Sequence, residues 1–254
     1  MQTPPLNAHD IQALLESPAW HERKFLFALL GADAASAAAL GYSLGPDPLH
    51  PEFAFLAVAV GERRRSFVVL KPDAASLTLV TFDIVPSPRA IYHLEGFAEP
   101  VLRGNVVTAA LPSRRAVKAS ILLPGDDGKI EAATGRIAIS QTSASPESLF
   151  LCAMQFGQTS AERVEFVGSV DLAGVRAGEW VILFHNEVRS AREPQFFFVE
   201  REGPVKCLVG GLAPGAWELW HNGFVKDPSL EVSPRAGALY FEGLAGNYFF
   251  RRYS

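Results

Sequence analysis

From Glu52 onward, short apolar runs follow one another with turn residues between them, and this rhythm leaves few folds open. "FAFLAVAV", "SFVVLK", "LTLVTFDIV", "AIYHLEGF", "NVVTAAL", "AVKASILL", "GRIAIS" and "LFLCAMQF" come first. "RVEFVGSV", "EWVILFHN", "QFFFVERE", "VKCLVGGL", "AWELWHNG", "GALYFEGL" and "GNYFFRRY" complete the series. Gly, Pro, Asp and Ser punctuate them, and Val, Phe, Ile, Trp and Tyr fill them, as suits a pleated, half-buried surface. The pattern predicts a mostly-β fold, a large antiparallel β-sandwich of two sheets over residues 51–254. Residues 1–50 read as a helical or irregular N-terminal segment. There, Asn7 is an N-cap and Ile11, Leu14 and Leu15 hold helical spacing until Pro18 stops it.

With 254 residues, 48% of them apolar, the chain can bury one large core or two modest ones. A loose echo between residues 52–125 and 148–250 reads as two sheets or two lobes, not as a duplicated domain. The net charge of −4 argues against bulk nucleic-acid binding, which needs a basic face. Arg63-Arg64-Arg65, Arg114-Arg115 and Arg251-Arg252 are short clusters, expected at solvated strand edges or turns. No membrane span is expected. The apolar stretch 25–42 is interrupted by Asp33 and starts too far in for a secretion signal, so it reads as folded structure. Cys152 and Cys207 both sit in apolar runs and are expected to be buried thiols, although spacing alone leaves a disulfide open.

Within "GLAPGAWELWHNG", residues 211–223, Pro214-Gly215 suits the centre of a type II turn, and Asn222-Gly223 suits a two-residue hairpin. Alternation between them puts Trp217 and Leu219 on one face and Glu218 and Trp220 on the other. In "EWVILFH" both faces are apolar, which predicts a central strand. Trp180 and Trp217 read as core, and His185 and His221 as surface histidines at strand ends. Trp220 is the best placed of these aromatics to be exposed, and a flat indole can stack on the C–H face of a sugar. Glu218, Trp220 and Asn222 are therefore the candidate carbohydrate-binding surface.

"TGRIAISQTSASPESLFLCAMQFG", residues 134–157, resembles a segment of the heparinase II/III-like polysaccharide lyases. "AVKASILLPGDDGKIE" upstream, with "GEWVILFHNE", "CLVGGLAPGAWELWHNG" and "GALYFEGLAGNYFF" downstream, look like strands of the same family in the same order. The resemblance spans residues 75–254 and implies the β-sandwich that follows a helical catalytic toroid in those lyases. It also implies export. The fifty residues before the sandwich are too few for such a toroid, so half of the usual cleft has no counterpart, and fold-level likeness does not transfer activity.

By the same resemblance, a metal in the lyase sandwich implies His50, Asp83 and His93 as a ligand set. His and Asp in tetrahedral geometry would suit zinc as a cofactor. The plainer reading is a turn aspartate and a strand-face histidine. β-Elimination on a uronic acid needs a base and an acid, which Tyr92 and His93 would supply. Neighbouring strand residues point to opposite faces, however, and do not converge on one sugar. No nucleophile elbow, P-loop or dinucleotide fingerprint is present. The sequence thus points to a non-catalytic module that binds carbohydrate, an acidic polysaccharide by the resemblance, or supports a partner chain. A reduced lyase or lyase subunit, and a purely structural or oligomerisation domain, are the alternatives.

Overall fold

A computed structural model describes residues 5–18, 29, 42–45, 53–60, 63–70, 76–142, 145–157, 163–187, 189–200, 203–232 and 237–253. The chain divides into two compact units, Met1–Ala161 and Glu162–Ser254. Strands dominate both. The expectation of a mostly-β, largely antiparallel, sandwich-like fold is met, but the described residues form three sheets where two were expected. The division falls at 161/162, within what the sequence presented as one sandwich from residue 51. His50 and nearly all of the stretch 25–42 lie outside the described residues.

The first unit contains β1 (Leu6–Asn7), α1 (Ala8–Glu16), β2 (Tyr42–Gly45), β3 (Phe53–Val60), β4 (Arg63–Leu70) and β5 (Leu77–Val85). It continues with β6 (Ile91–Arg103), β7 (Val106–Ala110), β8 (Ala116–Leu123), β9 (Gly128–Ala133), β10 (Gly135–Gln141) and β11 (Ser148–Phe156). The Asn7 side chain accepts from the His9 amide at 2.9 Å, satisfying one orphan donor of the first turn, and Ile11, Leu14 and Leu15 are buried. The strands run in the order β2-β3-β4-β5-β11-β8-β7-β6-β10-β9, with β1 added in parallel to β6. β6 serves two ladders. Its first half pairs with β10, its second half with β7, and its register shifts between Ala98 and Val101. Such a bulge bends a strand. The sheet folds over on itself there, so that Tyr92 on β6 stacks on Phe150 of β11 at 5.6 Å between centroids.

Arg64 and Arg65 correct an expectation. They are not at a solvated edge, because β4 lies inside the sheet between β3 and β5 and both are buried. Arg65 faces Asp83 across the β4–β5 ladder, Nε to Oδ1 at 2.7 Å, with its guanidinium near the rings of Phe67 and Tyr92. Desolvation pulls Arg64 down to about 10.

The second unit contains β12 (Val164–Gly168), β13 (Leu172–Ala177), β14 (Trp180–His185), β15 (Gln195–Val199) and β16 (Val205–Gly210). β17 (Gly215–His221), β18 (Phe224–Val232), β19 (Ala238–Gly243) and β20 (Gly246–Arg252) follow. One sheet has the order β12-β13-β14-β16-β19 and the other β15-β20-β17-β18. Their inner faces share one core: Val181, Leu183, Cys207, Val209 and Phe241 from the first, Phe197, Trp217, Leu219, Tyr248 and Phe250 from the second. Among the described strands of this unit all pairings are antiparallel except β14 with β16, and an isolated parallel bridge joins Ala191 to Leu212. Every residue of β14 is buried, as the two apolar faces of its sequence require. Gly174 on β13 is fixed by close approach, since a Cβ there would sit 1.9 Å from the Ile182 carbonyl oxygen.

Candidate functional site

The corner before β17 is structural. Gly215 takes φ +125°, the Trp217 indole N–H donates to the Ala213 carbonyl at 3.0 Å, and the Ala213 amide donates to Ala191 at 2.8 Å. Buried Trp217 ties the corner to the core beneath it. At the far end of β17, Asn222 and Gly223 both have positive φ, 51° and 83°, and close the hairpin to β18 with the backbone of a type I′ turn. The Asn222 side chain also accepts from the Asn247 amide at 2.9 Å. Asn222 is exposed, but its amide oxygen is engaged in holding the turn.

Between these ends, the alternation read from the sequence holds. Trp217 and Leu219 face the core, while Glu218 and Trp220 face outward. Neighbouring strands extend the outward face in register. Phe249 on β20 is opposite Trp220, Phe196 on β15 is opposite Phe249, and Val225 on β18 is opposite Trp220 on the other side. A row Phe196–Phe249–Trp220–Val225 thus crosses all four strands on one face. Phe196 and Val225 are 49% and 46% exposed, and Phe198, two residues along β15, is 50% exposed. Sequence reasoning found only Trp220 in this row. "QFFFVERE" and "GNYFFRRY" carry the matching alternation, but which outward Phe meets which depends on strand order, and that is not written in either segment.

Glu218 is set differently from its expected role. It is largely buried and accepts from Arg251 Nε at 2.7 Å and from the Tyr253 hydroxyl at 3.3 Å. The Trp220 indole N–H, then Arg251 and Tyr253, hold its carboxyl below the usual carboxylate range against the opposing effect of burial. The Arg251 guanidinium also lies over the Trp220 ring, 5.9 Å from its centroid. Glu218 therefore orients Arg251, and what it presents outward is small.

The other candidate residues lie in the first unit. Tyr92 is fully buried among the core residues, with its hydroxyl 3.3 Å from Thr81 Oγ1, and burial drives its phenol pKa upward. His93 lies outside that core cluster on the same strand, and the Arg136 guanidinium contacts its ring nitrogens at 2.7–3.1 Å. Desolvation, and then Arg136, lower the His93 pKa, favouring the neutral imidazole. Asp83 is held by Arg65. Among the described residues, no group of three His, Cys, Asp or Glu side chains is placed to hold a metal. His185 is not at the surface as expected. It is 6% exposed and donates Nδ1–H to the Arg189 carbonyl at 3.0 Å. His221 stacks on Tyr248 at 4.7 Å. Cys152 and Cys207 are buried free thiols, each pushed up to about 12 by desolvation.

Comparison with known proteins bears on the second unit. Residues 166–252 match the family model of the Heparinase II C-terminal domain. Matching solved structures include the heparan sulfate lyase HepC from Pedobacter heparinus, at a TM-score of 0.36 and 9% identity. A mutant of the same lyase matches at 0.38 and 7%. Each alignment covers 57% of this chain, and the chain covers 28% of each of those structures. No curated protein matches. The family match begins beyond residues 134–157 and contains the whole of the four-stranded sheet with its outward aromatic row. Residues 166–252 are thus similar to the Heparinase II C-terminal domain, and their strands form two sheets packed as a β-sandwich module.

Proposed function

We propose that this chain is a non-catalytic β-sandwich module that binds carbohydrate on the outer face of the four-stranded sheet. The observation that carries the reading is the cross-strand row Phe196–Phe249–Trp220, with Arg251 against the indole. Flat aromatic faces in line, on rigid strands, match the spaced C–H faces of successive sugar rings. Arg251, Tyr253 and Asn222 stand at its margins to meet hydroxyl or acidic groups. Tyr92 and His93 do not support the lyase alternative as an acid–base pair. One is enclosed in the core, and the other is occupied by Arg136.

The test follows binding and chemistry in the same samples. The purified protein is titrated against a panel of acidic and neutral polysaccharides while the absorbance of an unsaturated uronic product is recorded. Binding without product, weakened about tenfold or more by Trp220→Ala, is the expected result. Product release abolished by His93→Ala would replace the reading with a minimal lyase. A second reading, support of a partner chain, is favoured by the exposure of Phe196, Phe198 and Phe224, the last at 78%. It predicts no retention by any polysaccharide and a concentration-dependent change in sedimentation that Phe198→Ser and Phe224→Ser abolish.

A further inference from the structure

Within the second unit, a cleft of about 820 Å³ opens between the turn after β14 and the corner before β17. This is the size of a small-molecule site. His185 and Gln195 form its buried polar part, 6% and 1% exposed. The Gln195 amide nitrogen is already used, donating to the Glu193 and Pro194 carbonyls at 3.0 and 3.2 Å. Its Oε1 is buried and receives no hydrogen bond. A buried amide oxygen left without a donor is costly, so a donor arriving with a ligand is its natural complement.

The rim narrows the chemistry. Arg189 and Arg192 bring exposed guanidinia, and Asp171, Glu187 and Glu193 bring carboxylates. Carboxylates outnumber guanidinia, so the cleft offers no net attraction to a polyanion. Donors and acceptors interleave, which suits groups that both give and accept, as neighbouring hydroxyls do. Ala191, Ala213 and Pro214 add a small apolar strip. Ala213 is held by its backbone bond to Ala191, so this wall is fixed before any ligand arrives.

We propose that this cleft binds a neutral, hydroxyl-rich sugar unit, with Gln195 Oε1 accepting a hydroxyl proton and Arg192 and Glu193 engaging adjacent hydroxyls. It is a second site, separate in its residues from the aromatic row, and does not depend on the reading given for that row.

Saturation-transfer NMR with the methyl glycosides of glucose, galactose, mannose and N-acetylglucosamine tests it, with a galacturonate tetramer as the acidic counterpart. The proposal expects saturation of at least one neutral glycoside. That binding should weaken at least tenfold in Gln195→Met and in Arg192→Ala and stay unchanged in Trp220→Ala. Arg192 is exposed, so its variant decides the matter if Gln195→Met fails to fold. Saturation of none of the neutral glycosides overturns the cleft, whatever the polysaccharide panel shows for the sheet face. So does binding of the galacturonate alone. Saturation lost in Trp220→Ala but kept in both cleft variants puts the sugar on the sheet face, which overturns the cleft and leaves the module reading standing.

Discussion

Two tryptophans three residues apart show how strongly a side chain's meaning depends on the face it takes. Trp217 is fully buried, packs edge-on against Phe250 and holds the Ala213 carbonyl. Trp217→Ala removes that volume and orphans the carbonyl, and should cost about 3–5 kcal/mol in urea denaturation. Trp220→Ala, on the outer face, should cost about 1 kcal/mol or less while weakening the proposed carbohydrate binding about tenfold or more. Equal losses of stability in the two variants would contradict the assignment of faces. This distinction was legible in the sequence, since strand alternation alone makes it. The burial of Arg64 and Arg65 was not. Three consecutive arginines read as solvent-facing until a buried carboxylate is known to sit across the ladder, and Asp83 reaches that place only through the β4–β5 register. Asp83→Ala leaves Arg65 buried without its counter-ion and should cost about 3–5 kcal/mol, whereas Asp83→Leu with Arg65→Met should recover most of the loss. Recovery is measured as the difference in urea midpoint between the single and double variants.

At the scale of elements, most strands coincide with the apolar runs, β5 over the full length of "LTLVTFDIV". Five strands carry no such run, and two of them, β1 and β2, are only two and four residues long. β9 and β18 each end a sheet's strand order, where a strand has one partner and needs less apolar surface, and β18 tolerates Pro228 for that reason. β13 is interior but contains Gly174 and two alanines, small because β14 passes close by. Gly174→Ala forces β13 and β14 apart. It should lower stability by about 3 kcal/mol or more and release the β13–β14 amides to exchange faster than those of β17–β20. Uniform acceleration in both sheets would show that the strain is not local. The aromatic row failed to appear in the sequence for a related reason. Each Phe was visible on its own strand, but their alignment depends on the order β15-β20-β17-β18.

Across the whole molecule, each unit buries one thiol that is neutral in the folded state. Both pKa values rise on folding, from about 9 to about 12. The stabilisation this gives is complete below about pH 9 and is lost as pH climbs toward 12, by at most ~1.4 kcal/mol per thiol per pH unit. Urea midpoints should therefore fall between pH 8.5 and 10.5, and Cys152→Ala with Cys207→Ala should flatten the decline. A slope unchanged by the double substitution would assign it to other groups, Tyr248 first among them. The strand order of the second unit has a further consequence, for how that unit comes into being. β14 and β16 lie side by side, but the chain between them leaves for the opposite sheet as β15. It changes sheet again at β16–β17, β18–β19 and β19–β20. Neither layer can be laid down first and the other added. A nascent chain halted after β18 has β12-β13-β14-β16 but not the edge strand β19, and it lacks β20, which joins β15 to β17, so its second layer stands in two pieces. Assembly of this unit must wait for its last strand, and loss of the final seven strand residues should abolish folding rather than trim it.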